Sequence, residues 1–301
     1  MRKFKVSTVS LFPMSRFIIM RTIIKRTFLL MLLFIMLLLG MIGYAYFIEP
    51  NLLNVKCLTI ETEKEVRSCK IVFFTDTHFG KYYNETHIED IVNEINAQNA
   101  DFVIFGGDLL DNYARDCNSM DMEYLEDKLL EINAAVGKYA IWGNHDYGGG
   151  AVRIYEDFMT SCGFELLNDE SRLFEDYGIQ IFGFDDHLMG WTDPSLYTIQ
   201  SEYFNIIASH EPVISEFIEN NSDNLLLSGH THGGQVTIPF VTSKLLPRGS
   251  GAFRKGYYPA EEIQTATPLR MYVSSGIGMS RYPIRFLNIP EIVAVTILQV
   301  N

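Results

Sequence analysis

The sequence predicts an α/β domain carried behind one membrane-spanning helix, and three observations predict it. From about residue 70 onward, short apolar runs rich in β-forming residues alternate with amphipathic helical stretches. Five of those runs, from different parts of the chain, end in an Asp, an Asn or a His. Ahead of them all, Phe28 to Ile48 is a run of 21 residues without a charge.

That run comes first in the chain. At about 1.5 Å per residue its helix spans roughly 30 Å, one bilayer core. Seven basic residues (Arg2, Lys3, Lys5, Arg16, Arg21, Lys25, Arg26) precede it and no acidic one does. The positive-inside rule then makes residues 1–27 a basic cytoplasmic tail and 28–48 a signal anchor. Residues 49–301 follow as one domain on the extracytoplasmic side of the cytoplasmic membrane. A cleaved signal peptide is the competing reading, because Gly43 and Ala45 are small residues near the end of the run. Signal-peptide cores of about 7–15 apolar residues are shorter than this one, which favours a retained anchor.

The domain itself is acidic. The chain carries a net charge of -13, but residues 49–301 hold 17 basic and 37 acidic residues, a net of about -20. Phosphate backbones dominate nucleic-acid affinity, so such a body is not expected to bind nucleic acid. Cys57, Cys69, Cys117 and Cys162 form no C-x-x-C pair, which disfavours a cysteine metal site. Their three possible pairings, and the free thiols, stay open.

Within the domain, "KIVFFTDTH" reads as a buried strand over Ile71 to Thr75 that ends at Asp76 and His78. Ile88, Ile91, Val92 and Ile95 follow at the spacing of one apolar helix face. "DFVIFGGD" is a second strand, Phe102 to Phe105, running into Gly106, Gly107 and Asp108. A helical stretch around Met122–Ile132 leads to "KYAIWGNHD", a strand ending at Asn144, His145 and Asp146. "YFNIIASHEP" ends at His210, with Pro212 placed to open a short helix. "NLLLSGHTHGGQ" ends at His230 and His232, which an extended backbone would turn to the same side.

Ligand sites in α/β sheets gather beyond the carboxyl ends of the strands. Taken singly, Asp76 or Asp108 could cap a helix, Asn144 could form a turn, and each histidine could be structural. Taken together they read as a metal site. Carboxylate, imidazole and amide ligands without thiolate suit first-row divalent cations: Mn, Fe, Zn or Ni. The number of ligands suits two ions better than one. A pair about 3.5–4 Å apart needs a bridging group, and Asp108 is the natural one after two glycines that allow close approach.

In this order, D-x-H, G-G-D, G-N-H-D, S-H and G-H-T-H-G-G-Q resemble the calcineurin-like metallophosphoesterases. The likeness covers roughly residues 55–301. Tyr272 to Ile292 is similar to the C-terminal segment of the family's exported or membrane-anchored bacterial phosphodiesterase branch. The resemblance implies a four-layered αββα sandwich of two mostly mixed sheets. It implies Asp76, His78 and His232 as ligands of a first metal, and Asn144, His210 and His230 of a second, with Asp108 shared. It makes His145 the histidine near the leaving group and Asp146 the residue that orients it. Glu211 departs from the family's frequent Asn at that place.

The reaction this implies is phosphoester hydrolysis, a metal-bridged hydroxide attacking phosphorus in line without a covalent intermediate. Proximity to the membrane suggests lipid-linked or cell-envelope phosphoesters as substrates. Two alternatives remain: a UDP-2,3-diacylglucosamine pyrophosphate hydrolase, whose substrate arises on the opposite membrane face, and a non-catalytic phosphate-ligand receptor or scaffold. Arg281 and Arg285 either reach a phosphate or brace the C-terminal segment. His187, Asp185 and Asp186 read as loop and turn residues.

Overall fold

The computed structural model describes residues 12–198, 200–218, 224–259 and 269–300. The chain divides after Ala45 into two units. Arg2, Lys3 and Lys5 of the basic tail lie outside the described residues.

The first unit is helix α1, Phe12–Gly43, so the helix begins well before the charge-free run. Every large apolar side chain from Phe17 to Ile42 is exposed. An all-round apolar helix is suited to an environment that is apolar on every side. Among the described residues it belongs to the one segment long and apolar enough to cross a membrane.

The second unit contains two six-stranded mixed sheets. The first holds β1 (Asn54–Thr62), β2 (Cys69–Phe74), β3 (Phe102–Phe105), β4 (Gly137–Ala140), the short β5 (Glu165–Leu166) and the last strand of the chain, Glu291–Gln299. That last strand lies between β1 and β2, parallel to the former and antiparallel to the latter. The second sheet holds β6 (Glu170–Phe174), β7 (Ile179–Gly183), β8 (Phe204–Ser209), β9 (Asn224–Ser228), β10 (Gly256–Tyr258) and β11 (Arg270–Val273), which makes the last strand β12. Its order is β10-β11-β9-β8-β7-β6, with β7, β8, β9 and β11 parallel.

Alternation along each strand sorts the side chains into layers. Ile71 and Phe73 of β2, with Ile104 of β3, share one buried cluster with Ile206 and Ala208 of β8 and Leu225 and Leu227 of β9. Val72 and Phe74 belong instead to the cluster that packs the helices. Those are α2 (Ile88–Ala97), the short α3 (Tyr113–Asp116), α4 (Met122–Leu130), α5 (Asn144–Gly148) and α6 (Tyr155–Ser161). The face predicted for α2 is the buried one: Ile88, Ile91, Val92 and Ile95 are all enclosed. On the outer side of the second sheet, Ile207, Leu226, Met271 and Val273 pack under Ile214 and Phe253. The cover there is made of 3-10 turns and loops, Pro212–Glu216 among them, as Pro212 foretells.

The parallel strands of both sheets deliver their carboxyl ends to one edge of the sandwich, and the predicted ligands follow them there.

Candidate metal centre

Each candidate ligand sits one to four residues past a strand end, where the backbone has left its ladder. Asp76, His78, Asp108, His230 and His232 all have positive φ, between 42° and 67°. Non-glycine residues seldom adopt this left-handed conformation, and its cost is borne where a site requires it. His230 and His232 are therefore not presented by an extended strand. The segment coils into a left-handed turn, and the two imidazoles reach different neighbours. Gly107, at φ 87°, brings the β3 loop so close to the β4 loop that a Cβ would lie 2.6 Å from the Gly143 nitrogen.

Two groupings result, and Asp108 stands between them. In one, His78 Nε2 is 2.9 Å from His232 Nε2, and His232 Nε2 is 3.4 Å from Asp76 Oδ1. In the other, His230 Nδ1 is 2.9 Å from Asn144 Oδ1, and the His230 and His210 rings meet edge to face at 5.1 Å. Asp108 Oδ2 is 3.3 Å from His78 Nε2 and 3.2 Å from His210 Nε2. Its Oδ1 accepts a hydrogen bond of 2.7 Å from the His145 amide. All seven predicted ligand positions are thus within one cluster, buried except at Asn144, which is half-buried.

The donor set fits divalent cations. His210 Nδ1 donates to the Gly106 carbonyl at 2.8 Å, leaving its buried Nε2 without a hydrogen-bond partner and facing two carboxylates. His230 Nε2 donates to the Arg248 carbonyl at 2.6 Å, leaving Nδ1 as a lone pair beside the Asn144 oxygen. The His78–His232 contact sets two ring nitrogens as far apart as neighbouring ligands of one ion, for metal–nitrogen bonds of about 2.0–2.1 Å. Asp76 with His78 and His232, and Asp76 with Asp108 and His210, each converge tightly enough to hold an ion.

The electrostatics agree. Burial alone would raise the Asp108 carboxyl, but His210 and His145 hold it well below the usual carboxylate range. Burial would likewise lower His78 and His210, yet the facing carboxylates pull both well above the ordinary histidine value. Burial and the neighbouring His210 push His230 down to about 4. Burial also holds His232 well below the ordinary histidine value, so ionised carboxylates are enclosed with imidazoles of which two favour the proton and two the free lone pair.

His145 and Asp146 separate. His145 is the second residue of α5 and lines the cavity at the cluster. Asp146 does not orient it, contrary to the expectation. The Asp146 carboxylate points the other way and accepts from the amides of Asp108 at 2.8 Å, Gly143 at 2.9 Å and Leu109 at 3.1 Å. It clamps the Asp108 loop to the start of α5. Burial and the Asp108 charge push its pKa up to about 8. The orienting residue is Asp111, whose carbonyl accepts from His145 Nδ1 at 2.6 Å and whose Oδ1 lies 3.8 Å away. Its only sequence signal is a second carboxylate in "GGDLLD". Glu211 is buried and accepts from the His187 amide at 3.0 Å. Asp186 Oδ1 accepts from the amides of Leu188 and Met189, the turn role foreseen for it.

Residues 69–234 match the sequence profile of the calcineurin-like phosphoesterases. The chain belongs to that family. The uncharacterized metallophosphoesterase YkuE of Bacillus subtilis is 32% identical over 270 residues, 87% of this chain and 91% of the relative. The phosphodiesterase YaeI of Escherichia coli is 23% identical over 255 residues, 83% and 90% of the two chains. A Danio rerio transmembrane protein with a metallophosphoesterase domain is 26% identical over 268 residues, 83% of this chain and 58% of that one. As a calcineurin-like phosphoesterase the chain is a phosphoester hydrolase with a divalent metal centre, carried on two mixed sheets with α-helices on the outer face of the first; among the described residues, 3-10 turns and loops stand where the fourth, helical layer was expected.

Proposed function

We propose that this phosphoesterase is anchored by residues 28–48 and works outside the cytoplasmic membrane on two divalent cations. Asp76, His78 and His232 would hold one, Asn144, His210 and His230 the other, and Asp108 both. The observation that carries the reading is the position of Asp108 Oδ2, nearly equidistant from His78 and His210. The seven basic residues ahead of the apolar run support the orientation.

When bound, the metal pair supplies Lewis acidity, making water a nucleophile near neutral pH and neutralising phosphate charge. The chain's own residues do the rest. His145 Nδ1–H is committed to the Asp111 carbonyl, so its Nε2 is the atom left to meet a leaving oxygen. The Asp111 carboxylate lies 3.8 Å from Nδ1 and helps fix the ring, so that Nε2 is the atom placed to pass a proton to that oxygen. Asp146 keeps this apparatus in register by holding Asp108, Leu109 and Gly143 on one carboxylate. Arg248 and Arg281 line the same cavity and add positive charge beside the cluster.

The test is hydrolysis of a nitrophenyl phosphodiester and a monoester by the full chain in detergent. It is run after chelation, then with Mn, Fe, Zn or Ni restored, beside Asp108→Ala. Turnover that returns with metal and is absent from the variant supports the reading. Turnover that survives chelation and the substitution would sink it.

A further inference from the structure

We infer that the substrate is an anionic amphiphile, a phosphoester with a hydrocarbon chain close to its phosphate, drawn from a lipid surface. This rests on the phosphoesterase reading and names the substrate class of the same site. The first observation is a cavity of about 550 Å³ lined both by Asp108, His230 and His232 and by apolar walls. Those walls are Leu188, Val236, Ile238, Val241 and Leu245.

Thr242 and Gln235, polar side chains beside those walls, are already spent. Thr242 Oγ1 donates to the Val236 carbonyl at 2.8 Å and accepts from the Ile238 amide at 2.7 Å. The Gln235 amide group donates to the carbonyls of Tyr282 and Ile284, and its oxygen accepts from the Ser280 amide. Against Leu188, Val236, Ile238, Val241 and Leu245 the hydroxyls of a sugar or nucleotide phosphate would find no partner. A hydrocarbon chain loses nothing there and leaves water.

The second observation lies outside the cavity. Its rim is built by two loops, residues 235–248 and 280–289, tied together by Thr237 N donating to Phe286 O at 2.8 Å and Phe286 N to Gln235 O at 3.1 Å. Together they expose Phe240 at 91%, Leu245 at 69%, Tyr282 at 67% and Leu287 at 60%. Apolar side chains concentrated on adjoining loop tips form an interaction surface, unlike singly scattered ones. The charge pattern names the partner. The two rim loops contain Lys244, Arg248 and Arg281, besides the buried Arg285, and no acidic residue, in a domain of net charge about -20. Apolar tips within a basic field suit an anionic lipid surface.

The third observation concerns where the domain begins. Glu49 accepts from the amides of Leu287, at 2.9 Å, and Asn288. Asn288 in turn donates to the His232 carbonyl. The first residues of the domain, the exposed loop and the metal cluster are thereby joined through three residues. The apolar rim is on the same side of the domain as the point where residues 46–49 enter it.

The experiment uses the full chain and two short series from methyl to hexyl: alkyl nitrophenyl phosphodiesters for kcat/KM, and non-hydrolysable alkyl phosphonates for Kd by calorimetry. Each buried methylene should improve both by about two- to fourfold, so hexyl should exceed methyl by about 30-fold or more. Val241→Asp with Leu245→Asp should flatten both gradients. Leu173→Asp, an exposed apolar position on β6, should leave them unchanged. Turnover without a chain-length gradient, or a gradient that survives the double substitution, would overturn the proposal and leave the phosphoesterase reading standing. A phosphonate gradient without turnover under any metal would do the reverse.

Discussion

Replacing Arg285 with Met should lower the melting temperature of the domain sharply, although the residue touches none of the proposed ligands. Its guanidinium is fully buried. It donates to the Gly278 carbonyl from Nε at 3.0 Å and Nη2 at 2.7 Å, to Ser275 at 3.0 Å and to Asn288 at 3.2 Å. No carboxylate forms an ion pair with it among the described residues; the backbone oxygens hold it directly, with Asp76, Glu291 and Glu49 acting at longer range. Methionine would fill most of the volume and leave three carbonyls unpaired, at about 1–3 kcal/mol each. Relief from burying a charge returns part of that, which leaves a loss of about 3 kcal/mol. For a domain of this size the melting temperature should fall by roughly 6–12 °C, read by differential scanning fluorimetry. Burial lowers the Arg285 pKa to about 10, so below that pH it is charged both folded and unfolded. The loss should therefore be the same at pH 6 and pH 8.5. Metal affinity should fall too, because the braced loop holds Asp76 through a 2.7 Å bond from Gly278 N to Asp76 O. Arg285→Lys should recover only part of the loss, since one ammonium cannot span the three carbonyls. A fall of under 2 °C for the Met variant would refute the bracing role.

Four further outcomes are expected. Asp108→Ala should reduce bound metal from two equivalents to one or none, measured by elemental mass spectrometry, and abolish turnover; retention of both ions would contradict a shared ligand. His145→Ala should lower kcat by about 10²–10⁴-fold with bound metal unchanged, and metal loss in parallel would move His145 from proton transfer to binding. Gly276→Val should destabilise the domain by about 1–3 kcal/mol or more, because φ is 66° there and a Cβ would lie 2.6 Å from the Asp76 Cβ. At pH 8 a thiol reagent should label Cys57 and Cys117 but not Cys69 or Cys162, whose thiols burial pushes up to about 12. Four labelled thiols in the native protein would refute that assignment, and fewer than four in denaturant would reveal a disulfide.

What the sequence made legible were the features written in local residues. Ligands that close short apolar strands can be read because strand, turn and side chain are contiguous, as at Phe102–Asp108. The apolar face of α2 can be read because its period is local. The roles of Arg281 and Arg285 cannot, since only tertiary packing turns one to the cavity and buries the other. Asp111 escaped for a related reason: its hold on His145 spans 34 residues and uses a backbone carbonyl, which any residue has. The H-x-H pair misled in one respect. Period-two reasoning presumes an extended backbone, and the left-handed turn at His230 and His232 breaks it.

The place of β12 has a consequence for biosynthesis. Asn54 pairs with Glu291, and the strand between β1 and β2 is made of residues that leave the ribosome after every proposed metal ligand. Until it arrives, β2 presents an open edge of apolar backbone, a ready template for pairing with another chain. Contacts this distant in sequence also form slowly. A nascent chain of this protein therefore emerges with its chemistry encoded but its sheet unclosed. Its exposure to proteases and to aggregation should end only when the final strand inserts.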